Sequence, residues 1–209
     1  DRGAQKIEKK LAKEAEKGAF PKEKADAILK NIKFTLEYGE LAGCDLIVEA
    51  ATENLEIKHR IIKRLEELSS PETILTSNSS HMEPEKIFSK AKAKERCLVT
   101  HYFFPAERNP LLEIVPGSWT EPDLVEFLMR FYEQIGKVPI RVKSRYGFAV
   151  DPIFEGLFLA AALIVQDGIA SLKEVDAIAQ RALGQGVGPF TAMNLTGGNP
   201  ITQHGLNEM

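Results

Sequence analysis

The chain has 209 residues, enough for one large domain or two modest domains with hydrophobic cores. Its hydrophobic content of 44% and charged content of 27% are typical of a soluble globular protein. The formal net charge of -3 shows no basic excess, so nucleic acid is not expected as a partner. The sequence has no run of about 18 apolar residues, so we expect no membrane span.

The two cysteines, Cys44 and Cys97, are too few for a disulfide framework, and both lie in apolar surroundings. We expect reduced thiols and therefore a cytoplasmic protein. No signal peptide pattern opens the chain, because Asp1 is followed directly by a charged helical segment. We expect that residue 1 is not the natural start, since no initiator methionine is present.

Helical and strand-like segments alternate over the first two thirds of the chain. Helices with an apolar face at helical spacing are predicted at 4–17, 21–30, 55–68, 84–92 and 122–135. Strands are predicted at 32–36, 44–51, 73–77, 98–101, 111–115 and 137–142. This alternation predicts an α/β fold with a doubly wound parallel sheet.

The pattern changes after Ser144, where strand-like segments end. Residues 152–165 are nearly all apolar, and residues 172–183 have a helical pattern with Ser171 as N-cap. A helix that is apolar on most sides must be buried, so residues 152–165 belong to a domain core or to a subunit interface. We therefore predict a sheet domain over 1–144 and a smaller all-α domain over 145–209.

His101 and Glu113 are the strongest functional candidates. They stand twelve residues apart, His101 at the end of one strand-like run and Glu113 near the start of the next. That spacing allows two strand termini to bring an imidazole and a carboxylate together. The carboxylate would fix the ring tautomer and stabilise the imidazolium that forms when the ring accepts a proton.

A polar cluster over residues 77–80 follows another predicted strand. Open α/β sheets build active sites from polar groups at such strand ends, so Ser80 is a further candidate. His81 adjoins this cluster and is kept as a weaker one. The sequence contains no GxGxxG, Walker A, HExxH, paired CxxC, EF-hand or GxSxG pattern. We therefore expect no metal site, and we interpret the glycine-rich residues 184–188 as a turn between helices.

Five segments along the chain together resemble one known family, L-3-hydroxyacyl-CoA dehydrogenase. They are residues 45–58 (DLIVEAATENLEIK), 77–80 (SNSS), 101–105 (HYFFP), 112–114 (LEI) and 147–151 (GFAVD). Residues 186–190 (GVGPF) are similar to the second domain of that family. The matches cover nearly the whole chain in order, and their combination is more specific than any single one.

The resemblance implies a Rossmann-type NAD-binding domain, a helical domain that forms a homodimer, and acyl-CoA bound between the two domains. The family oxidises the 3-hydroxyl of an acyl-CoA to a ketone in fatty-acid β-oxidation. His101 matches its catalytic base, and Glu113 matches the glutamate that pairs with that base. The other matching positions are Ser80, Asp151 and Lys17 for the substrate, and Glu53, Lys58 and Asn78 for the cofactor.

The sequence departs from the family pattern at two site positions. Phe104 replaces an asparagine three residues after the catalytic histidine, and Asp151 replaces an asparagine that contacts substrate and histidine. An amide can donate a hydrogen bond, whereas an ionised carboxylate only accepts. An ionised Asp151 would favour the protonated ring and leave less free base; a protonated Asp151 would imitate the amide. We expect altered substrate preference or a reduced rate.

The family's glycine loop and its ribose-binding acidic residue would lie upstream of Asp1. We therefore expect the first domain to lack its first strand, and the helical domain to be truncated at its C-terminus. NAD binding should be poor unless those residues belong to the native polypeptide. The choice between NAD and NADP stays open here, because the residue that reads the ribose is missing.

Other interpretations are kept open beside an NAD-dependent dehydrogenase. One is a non-catalytic acyl-CoA binding or assembly module on the same scaffold, favoured by Phe104 and Asp151. Another is a related dehydrogenase of hydroxy acids that does not use CoA. The chain could also be one segment of a multifunctional β-oxidation polypeptide.

Overall fold

The computed structural model describes residues 2–195 and divides the chain into two compact units, residues 1–42 and 43–209. The first unit contains α1 (Arg2–Glu16), α2 (Lys22–Lys30) and a short 3-10 helix at Tyr38–Leu41. Gly18, with φ +75°, follows the end of α1, as the sequence predicts.

The predicted strand at 32–36 is wrong. This segment runs as irregular chain and bend between α2 and the 3-10 helix, and Leu36 is 87% exposed. An extended segment needs a neighbouring strand to pair with, and the described part of the first unit contains only helices. Apolar alternation alone therefore misled the prediction.

Over its described residues, 43–195, the second unit contains a five-stranded sheet, six α-helices and a short 3-10 helix at Lys94–Arg96. Its strands are β1 (Leu46–Glu49), β2 (Ile74–Ser77), β3 (Cys97–Tyr102), β4 (Leu111–Pro116) and β5 (Val138–Arg141), in the order β1-β2-β3-β4-β5. Its helices are α3 (Leu55–Leu68), α4 (Pro84–Ile87), α5 (Pro122–Gln134), α6 (Val150–Gln166), α7 (Leu172–Ala182) and α8 (Pro189–Leu195). The Rossmann-like class predicted from the sequence is confirmed, although α4 ends at Ile87 instead of continuing to residue 92.

One pairing differs from the predicted all-parallel sheet. β3 and β4 are antiparallel, while the other three pairings are parallel. The loop of residues 103–110 that joins β3 to β4 is too short for a parallel crossover, which needs about a dozen residues or more. The antiparallel register sets His101 directly opposite Glu113.

The core lies between the sheet and α5. Apolar side chains of β2, β3, β4 and α5 pack together there, at Ile74, Leu98, Leu112, Ile114, Leu124, Val125, Leu128 and Tyr132. Five of the six residues of β3 and four of the six in β4 are buried. The candidate pair therefore projects from two largely buried strands, where packing fixes the backbone.

The helical part of the second unit behaves differently from the expectation of a buried α6. Of its residues only Glu155 and Ala161 are buried, and Ile153 is 73% exposed. A single chain therefore leaves much of the apolar surface of α6 uncovered. Ser171 caps α7 through a capping box, as predicted, and residues 184–188 do form the turn between α7 and α8.

No helix within residues 2–195 has both the length and the apolar character required to cross a membrane. The cytoplasmic location and the domain boundary near residue 144 stay predictions.

Candidate active site

His101 and Glu113 form a hydrogen-bonded pair at the centre of the site. His101 Nδ1 is 2.9 Å from Glu113 Oε2, and both residues are buried. A carboxylate can only accept, so Nδ1 carries the proton in this hydrogen bond. The neutral ring then has its lone pair on Nε2, which is the form that a general base requires.

Glu113 is further fixed by the start of α6. Its Oε1 accepts hydrogen bonds from the backbone N–H groups of Ala149 and Val150, each at 3.0 Å. Gly147 and Phe148 both adopt positive φ immediately before these residues, at +65° and +54°. A non-glycine residue in the left-handed region is uncommon, and such backbone is found at functional sites. Here this turn aims two N–H groups at the carboxylate.

Two aromatic rings flank the imidazole. The Phe103 ring centroid is 4.4 Å from that of His101, and the Phe148 centroid is 5.8 Å away. Phe148 is 1% exposed, so its ring is held by the surrounding core. The imidazole is therefore restrained by ring packing as well as by Glu113.

A buried ion pair lies at the ends of β1 and β2. Lys58 Nζ is 2.7 Å from Glu49 Oε2 and 3.3 Å from Ser77 Oγ, and Ser77 Oγ donates to the same Glu49 oxygen at 2.7 Å. Burial alone would raise the pKa of Glu49, but hydrogen bonds from Lys58, Ser77 and the Ala51 N–H outweigh burial and lower it. Glu49 therefore stays ionised beside a fully buried Lys58.

Sequence reasoning missed Glu49 and selected only Lys58 from this pair. A signal was available, because Glu49 is the charged last residue of an otherwise apolar strand, Leu46–Glu49. A charge at the end of a buried strand requires a partner. The structure shows that Lys58 supplies it.

Glu53 and the serine cluster meet on the same side of the sheet. Ser79 Oγ donates to Glu53 Oε2 at 2.9 Å, and the Ser80 N–H donates to Glu53 Oε1 at 3.1 Å. Asn78 Oδ1 accepts a hydrogen bond of 2.9 Å from the Tyr102 N–H and so ties the end of β2 to the end of β3. The structure thus brings three predicted site residues, Glu53, Asn78 and Ser80, to adjacent strand ends.

Asp151 and His81 lie beside the pair, together with Glu155, which sequence reasoning missed. His81 Nε2 is 3.2 Å from Glu155 Oε1 and 3.6 Å from Asp151 Oδ2. Burial raises the pKa of Asp151 to about 6; positive charge on His101 and His81 opposes this rise, and the negative charges of Glu113 and Glu155 add to it. The signal for Glu155 was its position as the one charge within the apolar residues 152–165.

Two further positions that the sequence singled out are Lys17 and Phe104. Lys17 belongs to the first unit, where its Nζ lies 3.3 Å from Glu14 Oε1, and its role in CoA binding stays a prediction. Phe104, the residue at the expected asparagine position, is 72% exposed. Its ring therefore contributes little to the packing around His101.

Two family models match consecutive parts of the chain. Residues 1–145 match the NAD-binding domain of 3-hydroxyacyl-CoA dehydrogenase, and residues 147–206 match the C-terminal domain of the same enzyme. The chain belongs to the 3-hydroxyacyl-CoA dehydrogenase family. NAD is the cofactor of the first matched domain.

Curated members of the 3-hydroxyacyl-CoA dehydrogenase family extend this match. A 3-hydroxybutyryl-CoA dehydrogenase from Clostridioides difficile is 31% identical over 191 residues, covering 91% of this chain and 68% of the relative. An L-carnitine dehydrogenase from Pseudomonas aeruginosa is 32% identical over 183 residues, covering 85% of this chain and 57% of the relative. Two plant multifunctional β-oxidation proteins also match, but the chain covers only 27% of each. The chain therefore spans only part of the length of most of these relatives.

A solved structure from the 3-hydroxyacyl-CoA dehydrogenase family has the same fold. The 3-hydroxybutyryl-CoA dehydrogenase of Escherichia coli matches with a TM-score of 0.87 and 30% sequence identity. The match covers 93% of this chain and 41% of that one. The mixed sheet and the helical region that follows it are therefore common to both proteins.

The residues at the strand ends fit the nicotinamide half of NAD. In open α/β sheets, ligands bind at the carboxyl ends of the strands, and β1, β2 and β3 are mutually parallel with their polar ends at one edge. This edge presents the carboxylate of Glu53, whose side chain is 53% exposed, and the half-buried Asn78 and Ser80. Such acceptors and donors suit a carboxamide and a ribose hydroxyl.

Proposed function

We propose that this chain carries the catalytic residues of an NAD-dependent dehydrogenase that interconverts (S)-3-hydroxyacyl-CoA and 3-oxoacyl-CoA. The observation that carries the proposal is the buried hydrogen bond of 2.9 Å between His101 Nδ1 and Glu113 Oε2. It leaves Nε2 as the basic atom of the ring. Membership of the family and its NAD-binding domain support this chemistry.

In the proposed reaction, His101 Nε2 takes the proton of the substrate's 3-hydroxyl. Bound NAD would supply the acceptor for the hydride on the carbon that bears this hydroxyl. Glu113 holds the ring and offsets the positive charge that develops on it. The two N–H groups of Ala149 and Val150 hold Glu113 in turn, so its carboxylate keeps one position throughout. General base catalysis of this kind contributes about 10²–10⁴-fold to the rate.

The neighbouring polar residues take supporting roles in the proposal. Ser80 would donate to the substrate oxygen and align the hydroxyl with His101. Glu53 and Asn78 would hold the nicotinamide side of the cofactor. Lys58 would act through its fixed charge, because the ammonium is buried against Glu49. Lys17 would contact a CoA phosphate.

A second candidate is dehydrogenation of a 3-hydroxy acid that carries no CoA. The L-carnitine dehydrogenase relative shows that the family includes an enzyme named for a free hydroxy acid. The acyl-CoA proposal remains first because of the two family models.

We also propose that the chain forms a homodimer through its helical region. The exposed apolar side chains of this region support the idea, among them Ile153, Phe154, Leu159, Leu163 and Ile169. An exposed apolar surface of this kind marks an interaction site in a soluble protein. Equilibrium sedimentation of the native protein and of an Ile153→Glu variant tests this: a monomeric wild type would contradict the proposal.

The test of function is the oxidation of NADH by acetoacetyl-CoA and, separately, by acetoacetate, with the complete native polypeptide. Turnover of acetoacetyl-CoA that is lost in His101→Ala supports the acyl-CoA dehydrogenase. Turnover of acetoacetate alone favours the second candidate. Binding of CoA esters with no turnover of either compound would instead support the non-catalytic module.

A further inference from the structure

A second polar cluster, formed by His81, Asp151 and Glu155, lies beside the His101–Glu113 pair. We call it the acidic cluster. His81 Nε2 is within 3.6 Å of both carboxylates, at 3.2 Å from Glu155 Oε1. Asp151 and Glu155 are four residues apart in α6, so both carboxylates project from one face of the helix. One imidazole therefore faces two carboxylates.

The acidic cluster is directly connected to the proposed base. Ala149 and Val150 donate to Glu113, and Asp151 is the next residue in the chain. The backbone N–H of Gly147, two residues before Ala149, donates to the His81 carbonyl oxygen at 3.2 Å. A substrate whose hydroxyl lies at His101 therefore has neighbouring atoms close to the carboxylates of the cluster.

Negative groups outnumber positive ones around this position. Among the described residues, the carboxylates of Glu113, Asp151 and Glu155 face two titratable cations, His81 and His101. His101 must be neutral to accept the hydroxyl proton, so His81 alone can supply a positive charge. Within residues 2–195, neither Asp151 nor Glu155 forms an ion pair with a lysine or arginine. A ligand that brings a positive charge would therefore be attracted to this position.

The side chain of Glu155 provides a second, independent observation on this cluster. The residue is 5% exposed, and its Oε1 is held by His81. Its other oxygen, Oε2, is buried and accepts no hydrogen bond from any residue that the structure describes. A buried carboxylate oxygen without a donor is costly, so such an atom requires an explanation. A ligand that brings positive charge would offset this cost.

An organic cation fits better than a metal ion. Among the described residues, no group of three or more His, Cys, Asp or Glu side chains is arranged to hold a metal. The carboxylates also lie beside a base that acts on a carbon-bound hydroxyl. A positive charge on the substrate itself is the simplest way to compensate the negative charge of the two carboxylates.

We propose that Asp151 and Glu155 form a subsite for a positively charged nitrogen of the substrate, located near the carbon that bears the hydroxyl. This inference rests on the proposed function, because it names the substrate class of the same site. His81 holds Glu155 in place, and the cation neutralises the remaining charge. A neutral acyl chain leaves the two carboxylates uncompensated and binds less well.

The experiment compares two substrates that differ in charge and hardly in shape. They are 3-hydroxy-4-(trimethylammonio)butanoyl-CoA and its neutral carbon isostere, 3-hydroxy-5,5-dimethylhexanoyl-CoA. Both are also supplied as free acids, which separates the need for a cation from the need for CoA. We expect kcat/KM for the cationic compound to exceed that for the isostere by at least about tenfold, given the strength of charge pairs near a protein surface.

The variants Glu155→Gln and Asp151→Asn should reduce this ratio of cationic to neutral substrate, mainly through KM. Each replacement keeps the side chain's shape and removes one charge. Glu133→Gln, at an exposed position on α5, is the matched control and should keep the wild-type ratio. Calorimetric binding of the same compounds gives a readout that does not depend on turnover.

The subsite is overturned if the wild type uses or binds the neutral isostere with the same efficiency as the cationic compound. It is also overturned by a ratio that Glu155→Gln and Asp151→Asn leave unchanged. Acetoacetyl-CoA turnover, measured in the same preparation, separates the two proposals. If it is present while the cationic preference is absent, the dehydrogenase stands and only the subsite fails. If it is absent, the proposed function fails, and the calorimetric ratio decides the subsite.

Discussion

Glu49 and the acidic cluster both contain carboxylates that are mostly removed from solvent, and these carboxylates are paired to different degrees. Glu49 accepts hydrogen bonds from Lys58, Ser77 and the Ala51 N–H at 2.7–2.8 Å, and its pKa is lowered. In the acidic cluster, burial raises the pKa of Asp151 to about 6, and Glu155 keeps one buried oxygen without a donor.

The difference separates a structural ion pair from a position that faces a ligand. A buried charge whose partners are all in the chain needs nothing further, and it holds β1, β2 and α3 together. A buried carboxylate whose partners are incomplete gains stabilisation only when another molecule binds. We therefore expect a ligand to bind beside Asp151, near His101, and we expect the Lys58–Glu49 pair to stabilise the fold of the same unit.

The largest expected effect is on the proposed catalytic pair. In Glu113→Gln, the side-chain amide can donate to His101 Nδ1, which places the ring proton on Nε2 and removes the basic lone pair. We expect kcat to fall roughly 10²–10⁴-fold. Steady-state kinetics with acetoacetyl-CoA measure this, with Glu121→Gln at an exposed position as control. A loss of less than tenfold in a folded variant would show that Glu113 is only structural.

The next effect concerns the Lys58–Glu49 ion pair, whose carboxylate is fully paired. Lys58→Met leaves Glu49 buried without its cation, so the free energy of unfolding should fall by about 3–5 kcal/mol. The double variant Lys58→Met/Glu49→Leu should recover much of this loss, because no charge remains buried. Lys63→Met, exposed on the same helix, should change stability by less than about 0.5 kcal/mol. Denaturant unfolding measures all three, and a stable Lys58→Met would contradict the structural role.

A smaller effect depends on pH and tests the acidic cluster, whose carboxylates are incompletely paired. Since the pKa of Asp151 is raised to about 6 in the folded state, its ionisation costs stability. This cost is absent below the unfolded pKa near 4 and grows as the pH rises to about 6, to the order of 2 kcal/mol. Asp151→Asn should therefore gain in Tm relative to wild type between pH 4.5 and 7.5.

Two further measurements sharpen the result for Asp151. Asp26→Asn, at an exposed position, should show no such pH-dependent gain. Turnover of acetoacetyl-CoA should rise in Asp151→Asn, because an amide can donate a hydrogen bond where a carboxylate cannot. Unchanged or lower turnover would count against a role for Asp151 in substrate preference.

The smallest effect lies in the first unit, outside both carboxylate groups. Lys17→Ala should raise KM for CoA esters by less than about fivefold, because exposed charge pairs contribute at most about 1 kcal/mol. The effect should disappear at high salt, which screens exposed charges. Lys13→Ala on the same helix is the control. Equal KM values for the two variants at low salt would rule out a specific CoA contact at Lys17.

The sequence predicted most elements of the second unit because local signals and tertiary packing agree there. Helix α3 lies at the predicted residues, with Asn54 capping its N-terminus through a 3.0 Å hydrogen bond from the Ile57 N–H. The strand at 32–36 failed because pairing partners are not a local property. The antiparallel pairing of β3 and β4 was predictable from the short connection, although the alternation of elements favoured a parallel sheet.

The site shows the same limit. The spacing of His101 and Glu113 was sufficient to predict the pair, because both positions lie in strongly apolar strands whose ends are easily found. Glu49 and Glu155 were missed because their importance depends on partners far away in sequence, Ser77 and His81. The exposure of α6 was also hidden, since an apolar helix has the same sequence whether its own chain or a second one covers it.

The pairing of β3 with β4 also limits how this site can vary over evolution. Because His101 and Glu113 face each other in one antiparallel register, both residues of the proposed catalytic pair are contained within residues 97–116. Additions to the loop at 103–110 leave that register intact, whereas one residue inserted within either strand would turn the carboxylate to the opposite face of the sheet. In this chain the loop can therefore change in length without altering the pairing of the two residues, whereas the strand segments between the pair and the loop cannot gain or lose one residue.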